Sequence, residues 1–250
     1  MEFDLTGRTA FVTGATSGLG RHFAKVLAAA GADVAVAGRR AERLAGLKSE
    51  IEAAGRRCAA VPLDVTDAAA IAQALDEAEA ALGPAGILVN NAGVNVEGLA
   101  VNVSTTNYDA VMNTNLRGPF LLATEMARRM IARGQGGRII NIASIGAFRV
   151  QPGAAIYCMS KAGVAMMTQC LAREWARYHV NVNAICPGYI ETELNSGWFK
   201  SEGGQKQVKS FPKRRLMREQ DLDGVLLLLA SDASRAITGA LMTVDDAQSL

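Results

Sequence analysis

Short apolar runs alternate with helical patterns along almost the whole chain, and this alternation restricts its fold more than any other feature. Residues 8–13, 34–37, 58–63 and 87–90 read as strands. Between them lie helical patterns at 21–30 and 41–54, with Gly31 as a stop for the first. A third, Ala-rich pattern, capped by Thr66 and Asp67, runs to about Leu82. Strands separated by helices of about 12 to 15 residues call for right-handed βαβ crossovers and a parallel sheet. Another buried strand is expected at 138–143, and the alternation continues to Val244 without a Pro- or Ser-rich linker, an internal repeat or a low-complexity tract. The expectation is one doubly wound α/β domain of Rossmann type over residues 1–250, with helices on both faces of the sheet.

Composition narrows the partners. Half of the 250 residues are hydrophobic, enough for a large core, and a net charge of +2 favours neither nucleic acid nor a membrane surface. The apolar run 225–230 is far shorter than the roughly 20 residues a membrane span needs. Cys58, Cys158, Cys170 and Cys186 have no C-x-x-C spacing and no clustered histidines, which predicts buried free thiols rather than a metal site or a disulfide framework. The acidic start, Met1 to Leu5, shows no leader pattern, so a cytoplasmic location is expected.

The first strand runs into Gly14-Ala15-Thr16-Ser17-Gly18-Leu19-Gly20 and then a helix. This arrangement sets a pyrophosphate on a helix N-terminus, although the spacing is G-x-x-x-G-x-G instead of the common G-x-G-x-x-G. At the end of the second strand an acid would accept from a ribose 2′-hydroxyl, whereas an arginine suits a 2′-phosphate. The chain has Gly38-Arg39-Arg40 there, so NADP(H) is preferred over NAD(H), with Arg39 as first choice and a solvated helix start as the bland alternative. Asp64 and Val65 sit where an adenine edge is read. Asn91, Ala92 and Gly93 follow the fourth strand, where small residues allow close backbone approach.

The chemistry concentrates in S-I-G-A-F-R-V-Q-P-G-A-A-I-Y-C-M-S-K, residues 144–161. Tyr157 and Lys161 are four apart, hence neighbours on one helix face. A nearby ammonium favours the phenolate and lowers the phenol's pKa from its usual value of about 10. Ser144, delivered from a strand end, can share a substrate oxygen with that phenol.

Together these residues resemble the short-chain dehydrogenase/reductase family, similar to its 3-oxoacyl-[acyl-carrier-protein] reductase-like members. The motifs are T-G-A-T-S-G-L-G at 13–20, N-N-A-G at 90–93, N-L at 115–116, Ser144, Y-C-M-S-K at 157–161 and P-G-Y-I-E-T at 187–192, in the family's order. The resemblance implies a seven-stranded parallel sheet in the order 3-2-1-4-5-6-7, in a homotetramer. It also implies a tetrad of Asn115, Ser144, Tyr157 and Lys161. Tyr157 would be the general acid or base, Ser144 a donor to the carbonyl oxygen, and Lys161 a holder of the nicotinamide ribose. Asn115 would hold a water. Pro187, Gly188, Ile190 and Thr192 would line the cofactor, the last two at its carboxamide. The expected reaction is hydride transfer between NAD(P)(H) and a carbonyl or secondary alcohol, on a ketone or 3-oxoacyl thioester. A sugar or polyol dehydrogenase, or a non-catalytic dinucleotide sensor, is the alternative. Where relatives often carry V-D-G-G, this chain has Val244-Asp245-Asp246-Ala247, a departure confined to the C-terminal turn.

A serine hydrolase needs a histidine base and a nucleophile elbow. His22 and His179 have no evident partner, and no G-x-S-x-G surrounds Ser144. Residues 193–215 correspond to the family's mobile substrate lid, with Gly197, Gly203 and Gly204 as hinges and Trp198 and Phe199 either over the substrate or against a neighbouring subunit. Lys206, Lys209, Lys213, Arg214 and Arg215 read as a solvated basic face, with an anion site as the alternative; the resemblance to acyl-carrier reductases would put Arg133 and Arg173 near the docking place of an acidic carrier. The helix after Tyr157 is apolar nearly all round, which predicts a partner's helix against it.

Overall fold

The computed structural model describes residues 3–191 and 196–250. Strand β1 (Thr9–Thr13) is buried at all five positions, as a strand covered on both faces must be. Its alternation feeds two cores. Phe11 joins Ile71, Leu75, Leu122, Met126, Val164 and Leu171 on one face, while Ala10 and Val12 join Phe23, Leu27, Leu44, Leu226 and Leu229 on the other. Successive strand side chains point to opposite faces, so one five-residue segment specifies both layers.

The first half runs through α1 (Gly18–Ala29), β2 (Asp33–Gly38), α2 (Ala41–Ala53), β3 (Cys58–Pro62), α3 (Ala68–Leu82) and β4 (Ile87–Asn90). The cap of α3 is Asp67, which accepts from the amides of Ala69 and Ala70 at 3.0 and 3.3 Å. Thr66 does not cap it; its hydroxyl donates to Asp64 Oδ1 at 2.8 Å. The second half continues with α4 (Thr105–Met112), α5 (Gly118–Arg133), β5 (Gly137–Ile142), α6 (Ala155–Trp175), β6 (Val180–Pro187), α7 (Ser196–Lys200), α8 (Glu202–Ser210), α9 (Asp223–Ala230) and β7 (Leu241–Val244). A π-helical turn, Asn113–Arg117, joins α4 to α5.

All seven strands pair in parallel, in the order β3-β2-β1-β4-β5-β6-β7. The order reverses between β1 and β4, where Val12 lies opposite Val36 on one side and Val89 on the other. In such sheets the ligand crevice opens at the carboxyl ends of the strands beside this switch point. Among the described residues no helix is long and apolar enough to cross a membrane.

Candidate active site

The carboxyl ends of β1 and β4 are locked together by backbone and small side chains. Thr13 Oγ1 accepts from the amides of Asn91 (3.0 Å) and Ala92 (3.2 Å), and Asn91 Nδ2 donates to Thr13 O at 3.1 Å. Gly14 has φ +65°, and a Cβ there would lie 2.8 Å from Asn91 Nδ2. At Gly20 a Cβ would collide with the Gly14 carbonyl and the same amide. The glycine turn and the Asn90–Gly93 segment are therefore one unit. Helix α1 begins inside that turn, at Gly18, three residues before the helical pattern becomes readable. Ser17 stands at its N-cap without a side-chain cap, so the first-turn amides are left for a ligand, as a bound pyrophosphate requires.

The two arginines after β2 divide differently from the sequence expectation. Arg40 Nε and Nη2 donate to Thr16 Oγ1 at 3.0 and 2.6 Å, and Nη2 donates to Ser17 Oγ at 2.7 Å. Arg39 stays 70% exposed, with its guanidinium 3.9 Å from Asp64. The chain turns sharply after Gly38, which sends the second arginine back over the glycine turn and the first outward. Burial opposes ionisation of Asp64, but two hydrogen bonds from Thr66 and the nearby Arg39 outweigh it and hold the carboxyl below its ordinary value. Val65 is buried and packs on Gly118, where a Cβ would meet the Val65 carbonyl at 2.6 Å.

Ser144, Tyr157 and Lys161 converge at the end of β5. Ser144 Oγ accepts from the Gly146 amide at 3.0 Å and lies within hydrogen-bonding reach of the Tyr157 phenol. Lys161 is buried, its Nζ 5.7 Å from the Tyr157 ring centroid and donating to Ile142 O at 2.7 Å. Burial pushes the ammonium down to about 8. Burial also raises the Tyr157 phenol above its usual value, opposed by the Ser144 hydrogen bond. That direction is the reverse of the one expected from the ammonium alone: Lys161 spends a proton on the Ile142 carbonyl, and desolvation dominates. Asn115 sits on the π-helical turn, a frequent accompaniment of functional sites. Its Oδ1 accepts from Val94 N (2.8 Å) and its Nδ2 donates to Val94 O (2.9 Å) and Ser160 Oγ (3.0 Å). The side chain is thus a strut between the segment after Gly93 and helix α6. A Cβ on Gly93 would lie 3.8 Å from Lys161 Nζ, an ordinary contact, so the segment after β4 runs directly alongside the lysine.

The far wall follows β6. Pro187 and Gly188 lead into Tyr189, whose ring stacks on Phe211 (5.3 Å between centroids) and meets Phe199 edge-on (5.8 Å). Tyr189 is the third residue of the P-G-Y-I-E-T motif, but the motif assigns it no role; its place in the wall comes from the two ring contacts. Ile190 turns its side chain into the apolar core and bridges Met217 through the backbone, so only its main chain can face a nicotinamide. Thr192 and residues 193–195 of the expected lid lie outside the described residues. Phe199 is buried and Trp198 half-exposed, its indole donating to Gln207 at 2.7 Å.

Several surface expectations change. Arg133 is not open for docking: it pairs with Glu79 at 2.8 Å and donates to Ala85 O. The basic run is mostly paired, Lys206 with Glu202, Lys213 with Asp246, and Arg215 with Asp221 and Asp246. His22 does have a partner, Asp223 at 2.6 Å, and the pair staples α1 to α9. The cysteines are free, but Cys170 is exposed and Cys158 half-buried.

A family model described as short chain dehydrogenase matches residues 8–203. The chain is 37% identical to the 2-dehydro-3-deoxy-D-gluconate 5-dehydrogenase of Dickeya dadantii (strain 3937), over 97% of this chain and 96% of the other. It is 35% identical to the gluconate 5-dehydrogenase of Gluconobacter oxydans (strain 621H), over 97% and 95%. The crystal structure of a gluconate 5-dehydrogenase from Burkholderia cenocepacia J2315, in complex with NADP and tartrate, superposes with a TM-score of 0.94 at 36% identity, covering 99% of this chain and 97% of that one. The chain belongs to the short-chain dehydrogenase/reductase family. It is an oxidoreductase of the family that uses NAD(P), built on the family's single Rossmann-like domain.

Proposed function

We propose that the protein is an NADP(H)-preferring dehydrogenase that oxidises a secondary alcohol of a sugar acid or polyol, or reduces the corresponding ketone. The observation that carries the reading is the convergence of Ser144, Tyr157 and Lys161 beside the locked glycine turn. The sugar-acid class is supported by the gluconate-acting relatives. The paired state of Arg133 weakens the acyl-carrier alternative.

The glycine turn and the uncapped start of α1 fit a dinucleotide, which when bound supplies or accepts the hydride. Arg40, carried on the Thr16 and Ser17 hydroxyls, suits a 2′-phosphate, and no acid stands at the end of β2. In oxidation the Tyr157 oxygen takes the hydroxyl proton as the carbon gives up its hydride; in reduction it returns the proton to the carbonyl oxygen. Ser144 donates to the same oxygen, where negative charge grows. Lys161, with its ammonium at about 8, exchanges protons in the working pH range and acts against burial to ease phenolate formation. Asn115 ties the Val94 backbone to the Ser160 hydroxyl beside them. Residues 196–211 cover the substrate. Outward-facing Met159, Met166 and Phe120 on α6 and α5 support a homotetramer, which a monomeric mass in light scattering would refute.

The test is steady-state turnover with NADP+ and NAD+ against gluconates, polyols, β-keto esters and acyl thioesters. Turnover of a gluconate with NADP+ is expected, and Arg40→Ala should weaken NADP+ about tenfold or more with little change for NAD+. Turnover confined to thioesters, or an NAD+ preference in the wild type, would overturn the corresponding part.

A further inference from the structure

Asp246 and Ala247 hold φ of +52° and +64°, the left-handed region that glycine occupies without strain and other residues disfavour. Something must hold an aspartate there. Its side chain is only 11% exposed, and two cations converge on it: Lys213 Nζ lies 2.7 Å from Oδ1 and Arg215 Nη2 lies 2.7 Å from Oδ2. The turn is stiffened from within, because the buried Asp245 carboxylate accepts from the amides of Ala247 (3.0 Å) and Ser249 (2.7 Å).

The same turn also touches the segment after β6 and the Ser144 loop. Gly188 N donates to Val244 O at 2.9 Å, and Tyr189 N donates to Gln248 Oε1 at 2.7 Å. Arg149, from the Ser144 loop, donates to the Gln248 carbonyl. Phe211 stands two residues before Lys213 and stacks on Tyr189, and the Arg214 amide closes a turn on the Phe211 carbonyl at 2.9 Å. The strained carboxylate therefore grips the trailing end of the segment whose aromatic rings roof the cleft. Fully exposed ion pairs hold little, but here the acid is mostly covered and shared by two partly exposed cations on a stiff turn.

We propose that Asp246 is a positioning residue for the substrate: by tying Lys213 and Arg215 to the C-terminal turn, it holds Phe211 against Tyr189 and fixes the cover 196–211 over the cleft. The assignment rests on the reading of that cleft as the place of hydride exchange. The decisive variant is Asp246→Asn, which keeps the size and tolerates the left-handed backbone while removing the charge. With it, KM for the alcohol substrate should rise about fivefold or more, kcat should stay within about twofold, and the Kd for NADPH should not move. Amide hydrogen exchange at Phe211, Arg214 and Met217, measured without substrate, should quicken several-fold. Asp246→Glu should recover part of both effects. Unchanged KM with unchanged exchange would overturn the proposal, as would a joint fall of kcat, NADPH affinity and Tm, which is what a merely structural aspartate gives. If the wild type turns over no alcohol or carbonyl, the functional reading fails by itself; slow exchange at these amides in Asp246→Asn would then overturn the latch separately, and fast exchange would support it.

Discussion

The two sides of the crevice are built by different means. On the dinucleotide side, β1, the glycine turn and the segment after β4 are joined through backbone atoms, a threonine hydroxyl and one asparagine, with no room for a Cβ at Gly14 or Gly20. On the substrate side, Tyr189, Phe199, Phe211 and the C-terminal turn are joined by ring stacking and ion pairs between residues far apart in sequence, such as Lys213 and Asp246. A backbone-built site is rigid and recognises what every member of the family shares; a side-chain-built site can be retuned one residue at a time. Under the proposed function, the contrast is what a constant cofactor and a variable substrate would require.

The contrast breaks if either side tolerates the wrong change. Gly20→Val gives the largest effect: the branched side chain must displace the Gly14 carbonyl and Asn91, so NADPH binding by fluorescence titration should weaken by about a hundredfold or more, with far-UV circular dichroism retained. Near-normal binding would show the turn to be pliable. Asp246→Asn comes next, confined to KM and local exchange as argued above.

The smallest effect concerns pH. Burial lowers the Lys161 ammonium from 10.5 to about 8, so below about 8 the lysine is charged in both folded and unfolded chains and the folded state carries the desolvation penalty. Between about 8 and 10.5 the unfolded chain binds the extra proton, so stability rises with pH across that window. Relative to Lys161→Met, the wild type should therefore gain Tm from pH 7.5 to 9.5, by about 4–7 °C. A flat difference would mean that Lys161 is not desolvated.

The same contrast decides what the sequence disclosed. The alternation of apolar runs gave β1 to β4 within a residue or two, because parallel strands buried on both faces leave an unbroken apolar signal. Gly14, Gly20 and Asn91 were readable because only their residue types fit the backbone there. Arg40 was harder: the sequence places two arginines after Gly38, and the turn that points one inward is a three-dimensional fact. The rise in the Tyr157 phenol was hidden for a similar reason, since spacing reveals the neighbouring lysine but not the desolvation that outweighs it. The Asp246 pairs, spanning 33 and 31 positions, leave no local pattern; the sequence shows only Asp246 and Ala247 where similar chains often carry two glycines.

The most direct measurement is made on Tyr157→Phe, which deletes one oxygen. NADPH affinity and Tm should match the wild type, while kcat for the preferred alcohol or ketone falls by about a thousandfold or more. A Phe variant that keeps more than about a tenth of wild-type turnover would contradict the account.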